Sequence, residues 1–350
     1  MDSAQPPHVG HLPAGARNTV ADVTGVRVGH ATVADGPLQT GVTVLLPPGG
    51  NLFMHKLPAG LAVINGFGKS AGLVQLAELG QIETPIALTN TFGVPAVVQA
   101  QIADCIAANP ECGRSLPTVN ALTLECNDGY LSDIQRMAIT NVHYRAALAD
   151  ASTDVLQGAV GAGRGMSCFQ LKGGVGSASR MVDVNGGAYT VGALVLANMG
   201  RLADLRWGGA MVGDALQQRL HAREREQVLG DGVDKGSIIM LLATDAPLDS
   251  RQLTRVARRA AAGLANTGSC YGHGSGDIAL AFSTAYTIPA DANEPMPQIA
   301  MLHEAQLDPI FRAAADAVEQ AIVHALWHAE TVTGRNGHCR WALQDLLKEL

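Results

Sequence analysis

The stretch that most limits what this chain can fold into is Gly236-Ser237 followed by Ile238-Ile239-Met240-Leu241-Leu242-Ala243. No polar residue interrupts the apolar run, and its length is that of a strand rather than a helix. Such a run reads as a strand buried on both faces, so the fold must cover both sides of a sheet. Ser237 then stands at the strand's mouth, where a side chain can meet a substrate. The same Gly-Ser pair also reads as an ordinary turn entering a strand. A charged, glycine-punctuated segment, 223–235, comes just before it.

The chain has 350 residues and no low-complexity linker, so a single large domain, 1–350, is expected. An apolar share of 47% against 16% charged suits a sizeable core. A net charge of −7 argues against nucleic acid as a partner. The cysteines (105, 112, 126, 168, 270 and 339) have no CxxC spacing and read as free thiols in a reducing compartment. Residues 1–13 carry neither a basic nor an apolar leader region, and the near-apolar stretch Ala188–Met199 is too short and glycine-broken to span a bilayer. A cytoplasmic protein without membrane contact is expected.

Along the chain, Val20–Val33 is expected as a strand pair around Thr24-Gly25, and Val42–Leu46, Leu61–Ile64 and Pro85–Leu88 as strands. Ser70–Leu79 reads as a short helix stopped by Gly80. Pro95–Ala107 reads as a helix with Val98, Ile102 and Cys105 on its inner face. Val119–Cys126 and Gly187–Ala197 are further strands. Asp249 or Ser250 caps a helix to about Leu264 that turns Leu253, Val256, Ala260 and Leu264 inward. Ile278–Ser283 is a strand, and helices over 308–330 and 341–350 close the chain around a turn at Gly334-Arg335-Asn336-Gly337. Strands cluster without strict strand–helix alternation, which favours an α+β layered sandwich over a doubly wound sheet.

Two glycine motifs mislead. Asn65-Gly66-Phe67-Gly68-Lys69-Ser70 looks like a P-loop, but Val63 stands where the first glycine belongs. Gly161-Ala162-Gly163-Arg164-Gly165 lacks the third spaced glycine of a dinucleotide fingerprint. No cofactor and no metal is expected. Three other strings carry chemistry. Glu125-Cys126-Asn127-Asp128-Gly129-Tyr130 puts carboxylates, an amide and an aromatic at a strand end, although it also reads as an Asn-Asp-Gly turn. Asn198 ends a buried strand, where an amide can donate to an oxyanion or merely cap a turn. Ser275 and Asp277, two apart at a strand start, project to one side of the sheet.

These strings resemble the DmpA-type aminopeptidases, a family that includes the β-aminopeptidases. The resemblance runs through Asp22–His30, Ile64–Lys69, Glu125–Gly129, Gly161–Gly163, Lys172–Gly174, Gly236-Ser237, Ala243–Leu248 and Gly274–Asp277, in order. It implies an αββα four-layer sandwich of the DmpA and ornithine acetyltransferase type. It also implies self-cleavage between Gly236 and Ser237 into 1–236 and 237–350, which leaves Ser237 as an N-terminal nucleophile. Ser275 and Asp277 would orient that serine, with glutamate in place of Asp277 in some relatives. Asn198 would hold the oxyanion. Glu125 would receive the substrate's amine, with Tyr130 or Tyr144 lining the pocket.

The chemistry is coherent with that scheme. A serine hydroxyl needs a base, and a freed α-amine titrating near ~7.7–8.0 can be one at neutral pH. The implied activity is release of N-terminal L-, D- or β-amino acids from small peptides, amides or esters. The implied assembly is a homo-oligomer, a tetramer of processed heterodimers. The alternatives are an ornithine-acetyltransferase-like transacylase, against which the serine nucleophile counts, and a silent binding protein on the same fold.

Overall fold

A computed structural model describes residues 5–223 and 236–348. Two sheets lie face to face between two layers of helices. The smaller sheet takes Arg27–Asp35, Leu38–Leu46, Ile86–Asn90 and Leu122–Cys126 in that spatial order. The larger runs Ile288–Pro289, His55–Gly66, Gly276–Ser283, Ser237–Thr244, Gly187–Asn198 and Gly174–Val184, with Gln81–Ile82 beside His55–Gly66. This is the expected αββα sandwich.

Strand Ser237–Thr244 sits inside the large sheet, and every residue of it is buried. Its side chains divide by period two. Ile239, Leu241 and Ala243 enter the core between the sheets, where they meet Leu45, Leu88, Leu124 and Leu196. Ile238, Met240 and Leu242 enter the outer core under helices Ser250–Asn266 and Asp308–Trp327. An uninterrupted apolar run is what such double coverage requires, each buried Leu or Ile contributing roughly 1.5–3 kcal/mol. The parallel pairing of this strand with Gly276–Ser283 needs a crossover, and helix Ser250–Asn266 supplies it.

That helix starts where expected. Asp249 accepts the Gln252 N–H at 2.7 Å, Gln252 returns a bond to the Asp249 N–H at 3.1 Å, and Leu253, Val256, Ala260 and Leu264 are buried. Gly80 ends the preceding helix at φ 63°, although that helix is shorter than expected, Leu73–Leu79. Three expectations need correction. Val20–Asp22 is a 3-10 turn, and only Arg27–Asp35 is extended, paired with Leu38–Leu46. Helix Val94–Ala108 turns inward with Val94, Val97, Ala100 and Gln101, leaving Ile102 exposed, because Val94 rather than Val98 meets the sheet first. The last helix is confined to Leu343–Leu347 among the described residues, and most of the segment 223–235 lies outside them. Among the described residues no helix is long and apolar enough to cross a membrane.

Candidate active site

Strand ends from both sheets meet at one edge of the sandwich. Ser237 opens its strand directly opposite Asn198, the last residue of the antiparallel neighbour. On its other side the parallel strand begins at Gly276, whose N–H donates to Ser237 Oγ at 3.1 Å. Ser237 is buried, and that bond holds its hydroxyl. The residue before it admits no side chain. A Cβ on Gly236 would stand 1.9 Å from the Asn198 carbonyl oxygen and 2.6 Å from Met199 Cα. The Gly236–Ser237 peptide is thus pressed onto the end of the Asn198 strand.

Ser275 and Asp277 are fully buried, and the Ser275 hydroxyl donates to Asp277 Oδ1 at 2.6 Å. The two-residue spacing predicted that shared side. What the spacing did not announce is the support behind it. Asn65 Nδ2 donates to the carbonyls of Ser275 and of Gly272, the latter at 2.9 Å, which ties the turn before the strand. A bulge between Asp277 and Ile278 lets that strand end bend around the serine.

Glu125 lies across from this pair at the end of the small sheet's last strand and is buried. Its carboxylate accepts the Lys69 N–H at 2.8 Å on one oxygen and the Thr91 hydroxyl on the other. Two donors fix the carboxylate and leave lone pairs for a cation. Gly68 keeps the gap open, since a Cβ there would stand 3.6 Å from Glu125 Oε1 and 3.5 Å from Ile278. Cys126, buried next to Glu125, has its thiol pushed well up by burial and then by the Glu125 and Asp277 carboxylates. Both carboxylates are therefore near enough to Cys126 to act on its thiol.

Asn198 completes the set. Its Oδ1 accepts the Ser167 N–H at 2.8 Å, and its Nδ2 donates to the Asn127 carbonyl at 3.0 Å. Both bonds together set which end of the amide is nitrogen and where its second N–H points. A primary amide has two N–H groups, so one is spent on Asn127 and one is left for a ligand.

The two tyrosines part ways. Tyr130 is half-buried on the Asn198 flank, stacked on His338 at 4.7 Å, with the Arg340 guanidinium 3.6 Å from its ring centre. Arg340 in turn donates to Ser167 Oγ at 3.2 Å. Tyr144 does not join the site. Helix Asn141–Ala149 turns Tyr144 and Ala147 onto the outer face of the small sheet, against Val42, Val44 and Val97, where Tyr144 is 1% exposed. Its helical period, which the sequence reading left out, decides that placement. Asn65, Thr91, Ser167 and Lys172 were missed as supports. Of these, Asn65 and Lys172 stand in strings that carry the family resemblance, Ile64–Lys69 and Lys172–Gly174, whereas Thr91 and Ser167 carried no signal. Among the described residues no group of three or more His, Cys, Asp or Glu could hold a metal ion.

A strand-end serine on this fold is the arrangement of a serine hydrolase, and its relatives define the class, an aminopeptidase and amidase with an N-terminal nucleophile. The chain belongs to peptidase family S58, whose pattern matches residues 18–340. The β-peptidyl aminopeptidase BapA of Sphingosinicella xenopeptidilytica is 38% identical over 340 residues, covering 92% of this chain and 83% of its own. The PH0078 protein of Pyrococcus horikoshii OT3 superposes with a TM-score of 0.89 at 45% identity, over 97% of this chain and 95% of that one. The L-aminopeptidase D-Ala-esterase/amidase of Ochrobactrum anthropi, a serine aminopeptidase with a variant Ntn hydrolase fold, gives 0.86 at 31% identity, over 98% and 96%.

Proposed function

We propose that this aminopeptidase makes its own nucleophile by cutting the Gly236–Ser237 bond, then releases N-terminal residues from small peptides, amides or esters. The observation that carries the reading is the Gly236–Ser237 junction itself. A peptide on which only glycine fits lies against Asn198, with the serine hydroxyl bonded to the Gly276 N–H. In the precursor, Ser237 Oγ attacks the Gly236 carbonyl carbon. The C–N bond breaks, the acyl group moves to oxygen, and water hydrolyses the ester. This leaves a Gly236 carboxylate and a free Ser237 amine.

In the mature enzyme that amine takes the proton from Oγ as it attacks the substrate carbonyl. The free N–H of Asn198 Nδ2 meets the oxyanion, the leaving amine takes the proton, and water releases the acyl group. Asp277, bonded through Ser275, supplies a fixed negative charge beside the amine. Glu125 binds the substrate's ammonium, because an unpaired ammonium in a buried pocket is costly. Tyr130 closes the Asn198 side.

A cytoplasmic homo-oligomer of processed heterodimers belongs to the same proposal. It is supported by the free cysteines and by exposed apolar residues such as Val74 and Val142.

N-terminal sequencing of the purified protein tests the core of it. The parent should yield a second chain beginning at Ser237, and Ser237→Ala a folded, whole chain without activity on an aminoacyl p-nitroanilide. In the parent, kcat/KM should rise with pH and flatten above ~8 as the α-amine loses its proton. A whole Ser237→Ala chain that still turns over substrate would move the nucleophile elsewhere.

A further inference from the structure

The hydrolytic scheme leaves the buried ammonium of Lys172 without a task. Lys172 has no exposed surface, and its ammonium donates to three backbone carbonyls, of Gly163 at 2.8 Å, Met166 at 2.9 Å and Gly173 at 2.7 Å. Three donors meet three acceptors, so the cation is fully satisfied. All three acceptors belong to the segment 163–173, and they lie at both of its ends. A further bond from the Gly173 N–H to the Met166 carbonyl, at 3.1 Å, closes the same loop.

Between those ends, Ser167–Cys168 pairs with Leu171–Lys172 across a turn whose residues Phe169 and Gln170 both have positive φ, 51° and 61°. That conformation is unfavourable for non-glycine residues and persists only where surrounding contacts enforce it. Ser167 is the residue whose N–H holds Asn198 Oδ1. The outer end of the hairpin is tied to the same strand end by the bond from the Phe169 N–H to the Met199 carbonyl, at 2.7 Å. Burial draws the Lys172 ammonium down to about 7 and Arg164 works in the same direction, while Cys168 and Glu330 oppose them; the three carbonyl acceptors favour the charged form as well.

We propose that Lys172 is a positioning residue for hydrolysis, whose ammonium sets the segment 163–173 so that the Ser167 N–H holds the Asn198 carboxamide with its free N–H toward the oxyanion. This rests on Asn198 being the oxyanion donor. Loss of a single oxyanion donor typically lowers kcat by ~10²–10³. Loosening its holder should have part of that effect, because the amide then spends time turned away. Since an oxyanion contact exists only in the transition state, KM should hardly move.

The test is a double-mutant cycle of Lys172→Met with Asn198→Ala, assayed on folded protein with rates normalised to cleaved Ser237 termini. Lys172→Met alone should lower kcat about tenfold to a hundredfold with KM within about twofold, and should add less than about twofold in the Asn198→Ala background. Lys172→Arg keeps the charge with a different reach, and should show a smaller kcat loss with the same non-additivity. It carries the test if the Met variant does not fold.

Equal kcat in Lys172→Met and parent, or the same loss in both backgrounds, overturns the proposal, as does failure of both variants to fold. If Asn198→Ala leaves kcat unchanged, the assignment of Asn198 fails and takes this inference with it. A large Asn198→Ala loss with an additive Lys172 effect rejects Lys172 alone.

Discussion

Ser237 has two flanks, and they are built differently. On one, Glu125, Ser275 and Asp277 stand at the ends of strands and act through their own charge or hydroxyl, with the Ser275–Asp277 bond formed between residues two apart. On the other, the working group is a neutral amide, Asn198. Its direction is imposed by Ser167 from 31 positions away and Asn127 from 71. Behind Ser167 stand Lys172 and Arg340. Charge on the first flank faces the reaction, whereas on the second it is spent on holding Ser167 and the backbone around it. Substitutions on the first flank should therefore strike the chemistry directly, and those on the second should grade with how firmly the amide is held.

The sharpest break of that contrast is Asp277→Asn, which keeps shape and a partner for Ser275 but removes the charge beside the nucleophile. Folding and cleavage are expected to survive while kcat falls by ~10²–10⁴, the range for loss of one oriented catalytic group. Steady-state kinetics on cleaved material decides it. Unchanged kcat/KM would make Asp277 a structural carboxylate and erase the difference between the flanks.

Glu125→Gln comes next. The amide oxygen keeps an acceptor for the Lys69 N–H, and the Thr91 hydroxyl can turn to accept from the amide nitrogen, so the pocket stays built, but an incoming ammonium loses its counter-charge. A drop of about 10² in kcat/KM is expected, the lower end of what an unpaired buried charge implies. The parent should hardly hydrolyse N-acetylated substrate, and the variant should discriminate less between free and acetylated forms. Undiminished discrimination by Glu125→Gln would place amine recognition elsewhere.

The same contrast explains what could be read from the sequence. The layered fold was legible because the run Ile238–Ala243 has no polar interruption and helix Ser250–Asn266 has a clean inner face. The first flank was legible because its groups sit inside short strings at strand ends. On the second only Asn198 was, since a Ser167 N–H or an Asn127 carbonyl has no signature in a residue's identity. Tyr144 shows the opposite error. An aromatic without its helical period in view passed for a pocket residue, although the period turns it onto the sheet. Helix Val94–Ala108 was misread by one position in phase, which a run of small and branched residues on all sides cannot correct.

The smallest expected effect lies beside the second flank, at Asp128. This carboxyl is fully buried next to Asn127, accepts Asn90 Nδ2 at 3.1 Å and has a second oxygen without a hydrogen-bond partner. Burial, against bonds from Thr40 and Asn90 and with Glu125 as the charged neighbour, raises it from 3.8 to about 6. A carboxyl whose folded value is raised binds its proton more tightly folded than unfolded. Its contribution to stability is therefore present at low pH and lost as pH rises through about 6. A rise of that size corresponds to roughly 3 kcal/mol at most, and Asp128→Asn removes the dependence. The stability of the parent relative to Asp128→Asn should thus grow as pH falls from 7 toward 4.5, read from urea midpoints at constant m. The kcat at pH 8 should change only a few-fold, since Asn127 meets Asn198 with its backbone carbonyl. A pH-independent stability difference would mean that Asp128 titrates like an ordinary carboxyl. A kcat loss as large as that of Asp277→Asn would show that the amide flank, like the other, works through a charge.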